Sequence, residues 1–390
     1  MTMQFRPEVL NVKESPLVRI ATVAEHRPDS HKLCYGESDM PTPEFICRAS
    51  YEASLAGHTF YTYPGGCVEL REAIREKFQA LQGVEYDTDE VVCTVGAGMA
   101  IFLAVRALVG PGDNAIVICP AYSIFTSAIT MSGGETRPVP LLRDGDRFCL
   151  DLDRVRSAVD SRTRMLIVNS PSNPTGWVIS REEQEALWLL ATKHDFMILS
   201  DEIYDRLVFD GPVAPSFARV ATDRDHLIVV NGFSKSYTMT GWRLGYGLAG
   251  ERLIALMTKA GEFMTSSPPA MVQQAGIVAL RDGEDYVGQI RGLYSERRNL
   301  VMERLRGVPQ VSLPPPDGGF YAFIEVEGLR DSLAFAERLV NETGVALAPG
   351  SAFGQGGEGY LRLCFASSEE ILKSALARFD EFMRRRETIL

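Results

Sequence analysis

Basic charge is the first thing in short supply. The 390-residue chain carries 40 Lys and Arg against 51 Asp and Glu, for a net charge of −11. That balance argues against a nucleic-acid partner, because such domains cluster Lys and Arg on one face. The longest basic run, Arg384-Arg385-Arg386, is read as a solvated helix face near the C-terminus. Histidine is also scarce: the five are scattered, with no HExxH and no paired spacing, so no metal site is expected. The seven cysteines, Cys34, Cys47, Cys67, Cys93, Cys119, Cys149 and Cys364, are odd in number and form no CxxC pair. Free, largely buried thiols in a reducing cytoplasm are the expectation. The N-terminal stretch MTMQFRPEVLNVKE has no apolar core and does not read as a signal peptide. No charge falls between Asp113 and Glu135, a length that suffices to cross a bilayer. Pro120, Ser123, Thr126, Ser127 and Thr130 interrupt it, so it reads as a buried strand and the start of a helix, with no membrane partner.

What is present is ordinary for a globular protein: 45% hydrophobic and 23% charged residues. The length predicts two domains. Apolar runs of strand length recur at Val91–Val95, Ala115–Cys119, Met165–Val168, Phe196–Leu199 and Leu227–Val230. Helical patterns lie between them at Glu69–Leu81, Met99–Leu108 and Arg181–Lys193. This alternation predicts an α/β fold, a mostly parallel sheet with helices on both faces. A Pro/Gly cluster over 308–320 precedes a strand at Phe320–Val326 and a helix at Ser332–Glu342, a smaller α+β domain. The division expected is an N-terminal segment 1–45 packing with the small domain, a large domain 46–285 and a small domain 286–390.

Ligands of open parallel sheets bind beyond the carboxyl ends of the strands. Five strands here end in chemistry: Gly96-Ala97-Gly98, Pro120-Ala121-Tyr122, Asn173 within NSPSNPTG, Asp201 with Tyr204, and Ser234-Lys235. The glycine turn before a helix offers N–H groups to an anion. Ser234 and Arg243 add a hydroxyl and a guanidinium that suit a phosphate. Tyr122 offers a face for stacking. Asp201, an acid at a buried strand end, needs a cation. Together with a lysine, these groups describe a pocket for pyridoxal phosphate, with Lys235 forming the Schiff base and Asp201 keeping the ring nitrogen protonated.

The motifs GESDMPTP (36–43), YTYPGGCVELREAI (61–74), NSPSNPTG (169–176), SDEIY (200–204), FSKSYTMTGWRLGY (233–246), PGSAFG (349–354) and LRLCFA (361–366) resemble the class I/II aminotransferase family of fold-type I pyridoxal-phosphate enzymes. They run in family order over roughly residues 30 to 380. The resemblance implies that Lys235 bonds the cofactor and serves as catalytic base, and that Asp201 pairs with the ring nitrogen. It implies that Asn173 and Tyr204 bond the ring's phenolic oxygen. Ala97, Gly98, Ser234 and Arg243 would hold the phosphate, and Tyr122 would stack on the ring. Arg362 would take the substrate α-carboxylate near Gly36, with Tyr122 and Asn173 also lining the substrate site. Tyr61 would reach the phosphate of a neighbouring subunit in a homodimer with shared active sites. An Asn173–Pro174 cis bond is also implied. Two departures stand out: many relatives stack a tryptophan where Tyr122 stands, and several have lysine where Gly98 stands.

The implied activity is amino-group transfer between an L-amino acid and a 2-oxo acid. Without a lysine at 98, and with Met99, Phe60, Tyr63 and Tyr122 as possible apolar lining, uncharged medium-to-large side chains are expected. Arg19 or Arg27 swinging in from the N-terminal segment would still admit glutamate. Aspartate aminotransferase and a lyase on the same scaffold are the alternatives. The cofactor-binding half of a transcription regulator is disfavoured by acidity and by the roughly 45 residues ahead of the large domain. A non-catalytic binding protein is disfavoured by the presence of Lys235 and Asp201.

Overall fold

The computed structural model describes residues 4–387. Its main sheet has seven strands: β1 (Val91–Val95), β2 (Asn114–Cys119), β3 (Glu135–Pro140), β4 (Thr163–Asn169), β5 (Met197–Asp201), β6 (Leu227–Gly232) and β7 (Leu244–Ala249). They are ordered β1-β7-β6-β5-β4-β2-β3. The pairs among β2 to β6 are parallel, and β7 alone runs antiparallel to both its neighbours. The apolar runs are buried on both faces, with every residue of β2, β5 and β6 inaccessible. That is why they read as continuous rather than alternating.

Two strands of the main sheet escaped the sequence reading. β3 is polar, with Pro138 and Pro140 in it, and occupies the sheet edge where proline is tolerated. β7 holds Gly245 and Gly247, which weaken its strand signature. A Cβ at 245 would sit 2.2 Å from the Ala97 nitrogen, so glycine there lets the helix start pack onto β7. The charge-free stretch resolves into β2 and a helix, Ile124–Ser132. Among the described residues no helix is long and apolar enough to cross a membrane. Arg384 and Arg385 are exposed on the last helix; the side chain of Arg386 lies outside the described residues, as do Met1 to Met3.

A second, antiparallel sheet orders Val311–Ser312, Tyr321–Val326, Tyr360–Cys364 and Ala348–Pro349. The N-terminal segment joins it indirectly. His31–Lys32 pairs in parallel with Val345–Ala346. The helix Pro16–Glu25 packs on the helix Ser332–Thr343, where Arg19 pairs with Glu337.

Candidate active site

Because β1, β2, β4, β5 and β6 point the same way, their carboxyl ends share one edge. A cavity of about 730 Å³ opens there. Ala97, Gly98, Tyr122, Asn173, Asp201, Tyr204, Ser234, Lys235 and Arg243 line it from the main sheet. Gly36 and Arg362 line it from the opposite side. Tyr61 does not. Its side chain is 91% exposed, beside Phe60 and Tyr63 on an outer face, so one chain does not bring it to this cavity.

The helix after β1 begins at Ala97, two residues earlier than its apolar pattern suggested. Gly96 caps it with φ +77°, a conformation costly for any residue with a Cβ. A Cβ at 96 would also lie 2.3 Å from Arg243 Nη2. The guanidinium thus sits against the helix start, held by Nη1 donating to the Thr240 carbonyl at 3.0 Å. First-turn N–H groups have no acceptor within a helix. With Arg243 and the buried Ser234, they form a cradle with the size and charge for a phosphate.

Asp201 and Glu202 show how strand alternation assigns roles. Glu202 does not line the cavity, and the protein satisfies one of its two oxygens while Oε2 is buried without a partner. Its Oε1 accepts from Ser200 Oγ (2.8 Å), Ser216 Oγ (3.0 Å) and the Phe217 N–H (3.1 Å). Asp201 faces the cavity, and its Oδ1 accepts only from the Ile203 N–H at 3.1 Å. Among the described residues no cation lies within ion-pairing distance of it. Burial therefore pushes its carboxyl up to about 7. A buried acid facing an open cavity fits a cationic ring N–H.

Lys235 reaches across to donate to the Gly36 carbonyl at 2.5 Å. Burial lowers its ammonium to about 8. Arg362 is buried: Nη1 donates to Asn173 Oδ1 at 2.9 Å and Nη2 to the Cys34 carbonyl at 2.5 Å. Its Nε has no partner. The Asn173–Pro174 bond is cis, as are Ser170–Pro171 and Cys119–Pro120, which were not anticipated.

Asn169 went unread as a site residue. It ends β4, its Oδ1 accepts from the Asn173 N–H (2.8 Å), and its Nδ2 donates to the Asp201 carbonyl (3.0 Å). The signal was there: it is the first letter of the motif that carries Asn173. Tyr321 was read only as strand, yet its hydroxyl lies 2.7 Å from that of Tyr204. Arg19 and Arg27, considered as swinging cations, are engaged elsewhere. Arg19 pairs with Glu337, and Arg27 bonds Asp29 and the Val340 and Asn341 carbonyls.

An anion cradle, a buried acid and a buried lysine at one sheet edge fit a pyridoxal-phosphate group. Residues 28–379 match the family model for aminotransferase class I and II, and the chain belongs to that family. It is 34% identical over 396 residues to aromatic-amino-acid aminotransferase 2 of Thermococcus litoralis, covering 100% of both chains. It is 38% identical over 357 residues to the aspartate/prephenate aminotransferase of Thermus thermophilus, covering 90% of this chain and 91% of that one. A solved structure of Thermus thermophilus aspartate aminotransferase with maleate superposes with a TM-score of 0.92 at 37% identity, over 97% of this chain and 100% of that one. The protein is a pyridoxal-phosphate-dependent aminotransferase.

The uncompensated Asp201 gives a signed pH test on cofactor-free protein. Its cost is present above pH 7, where the folded carboxyl ionises, and is absent below about pH 4, where both states are protonated. Asp201→Asn is therefore expected to stabilise cofactor-free protein at pH 8 by on the order of 3–4 kcal/mol in urea unfolding. The gain should vanish toward pH 4. A variant less stable than the parent at pH 8 contradicts the assignment.

Proposed function

We propose that this aminotransferase prefers amino acids with uncharged, medium-to-large side chains. One observation carries the reading: the only cations lining the cavity, among the described residues, are Lys235, Arg243 and Arg362. Each already has a task, at the cofactor's reactive carbon, its phosphate and the substrate α-carboxylate. A second carboxylate would instead meet Leu17, Val18 and Ala21 of the helix Pro16–Glu25, together with Glu25 and Glu37. Gly98 leaves its position without a side chain, and a Cβ there would press on Ile124 Cδ1 at 2.7 Å. Losing one charge-assisted contact forfeits about 1.5–3 kcal/mol. The relatives' names include both aspartate and aromatic amino acids, so they leave this choice open.

When bound, pyridoxal phosphate supplies a ring that accepts the electron pair left as the substrate's α-proton departs. Lys235 holds that proton at Nζ; an amine titrating near 8 can both take and return it near neutral pH. Asp201 keeps the ring nitrogen protonated. Asn173 and Tyr204 hold the phenolic oxygen, and Tyr122 covers the ring. Ala97, Gly98, Ser234 and Arg243 hold the phosphate. Arg362, with the Gly36 loop behind it, takes the α-carboxylate.

The reading extends to a two-fold homodimer in which Tyr61 completes the partner's phosphate site. The exposed Phe60, Tyr61, Tyr63, Leu55 and Phe263 support an apolar contact face. Segment 1–45 is assigned as packing with the small domain (286–390), with 46–285 as the large domain. The pairing of His31–Lys32 with Val345–Ala346 supports that. Seven free cysteines support a cytoplasmic home.

A rapid-mixing panel tests the substrate class by following loss of the bound cofactor's visible band with each amino acid. Phenylalanine, methionine or leucine should react faster than aspartate. Aspartate faster than all three by more than about tenfold, some 1.4 kcal/mol, would overturn the preference. Sedimentation tests the dimer: a fully active monomer contradicts it, and Tyr61→Phe in a dimer should weaken phosphate binding without separating the subunits.

A further inference from the structure

Tyr321 opens the strand Tyr321–Val326, immediately after Gly318 and Gly319. It is fully buried and lines the cavity. Three parts of the site meet on it. Its hydroxyl lies 2.7 Å from the Tyr204 hydroxyl. Its ring lies under the Arg362 guanidinium, 4.5 Å from the centroid. A Cβ at Gly36 would come within 2.5 Å of its oxygen. The Gly36 loop therefore closes against this hydroxyl, and the same loop takes Lys235 at the Gly36 carbonyl.

Two neutral phenols sharing one hydrogen bond have two protons, and the bond uses one. The other is free to point into the cavity. Which phenol keeps it depends on which is the better donor. Arg362 stacked over the Tyr321 ring draws electron density from that phenol and favours it as donor. The Gly36 backbone walls off its other side.

We propose that Tyr321 is a positioning residue that donates to Tyr204 and so aims and strengthens the Tyr204 proton toward the cofactor's phenolic oxygen. The inference rests on the assignment of Tyr204 given above. Bonds in a chain polarise one another, so an accepted bond makes the Tyr204 hydroxyl a stronger donor. A donor at the phenolic oxygen favours the form in which that oxygen carries more negative charge, the form on the high-pH side of the cofactor's titration. Weakening the donor moves the midpoint up. Other charged and titratable groups facing the pair are Asp201 from β5, Lys235 after β6, Arg362 and Cys364 from the strand Tyr360–Cys364, Glu37 from the Gly36 loop and Tyr122 after β2. Tyr321→Phe leaves every one of these residues in place.

The test is a pH titration of the bound cofactor's absorbance in the holoenzyme, substrate absent, for Tyr321→Phe, Tyr204→Phe and the double variant. Tyr321→Phe keeps the ring beneath Arg362 and is expected to raise the midpoint by about threefold in proton affinity. Tyr204→Phe should raise it further, and the double variant should match Tyr204→Phe alone, since the outer hydroxyl acts only through the inner one. Fluorinated tyrosine at 321, a more acidic phenol, should lower the midpoint. A midpoint unmoved in Tyr321→Phe but raised in Tyr204→Phe overturns the relay and leaves the Tyr204 assignment standing. Additive shifts in the double variant also overturn the relay. A midpoint unmoved in Tyr204→Phe overturns that assignment and the relay with it.

Discussion

A carboxylate and an amine are buried at one sheet edge, and neither is in an ion pair. Asp201 and Lys235 both carry the cost of lost hydration, pushed toward about 7 and about 8 by burial. A fold tolerates this where something else supplies the missing charge. Pyridoxal phosphate would offer a cationic ring nitrogen to the acid and a carbonyl carbon to the amine. Glu202, one residue on, is equally buried and pushed up to about 8, but it lies off the cavity and the protein supplies three donors to its Oε1, leaving only Oε2 without a partner. The contrast between these neighbours separates a group kept for a ligand from one kept for the fold.

The edge exists because five strands run in parallel, and it becomes a cavity because residues of the second sheet line its other side. Arg362 and Tyr321 come from adjacent strands of that sheet, where Tyr321 is paired with Cys364 and Phe323 with Arg362. The helix Pro16–Glu25 forms one side of the opening and is tied to the helix Ser332–Thr343 by Arg19 and Glu337. On the proposed assignment, cofactor contacts would be grouped on one sheet and the substrate carboxylate contact on the other, with the helix Pro16–Glu25 lining the opening.

Much of this was legible before any coordinates. β1, β2, β4, β5 and β6 are each built on a largely apolar run, and together their carboxyl ends deliver a glycine turn, an aromatic, an amide, an acid and a lysine. What stayed hidden had weak local signals. β7 carries two glycines, because a side chain at 245 would collide with the Ala97 nitrogen; packing, not propensity, makes it a strand. Tyr321 read only as part of a strand because its partners, Tyr204, Arg362 and Gly36, are distant in sequence. The helix start at Ala97 was placed late because Gly96 and Gly98 flank it, and only Gly96 has the left-handed φ that ends the turn. Arg19 and Arg27 looked free in the sequence; their acceptors, Glu337 and the Val340 carbonyl, lie more than 300 residues away.

The central claim is that Asp201 is buried without a cation in order to hold the cofactor's ring nitrogen protonated. Nitrogen-15 NMR of ring-labelled pyridoxal phosphate bound to the holoenzyme reads that proton directly. The account predicts a pyridinium shift at pH 8 in the parent protein and a neutral pyridine shift in Asp201→Ala. A neutral ring nitrogen in the parent, or a pyridinium that survives in Asp201→Ala, would contradict it.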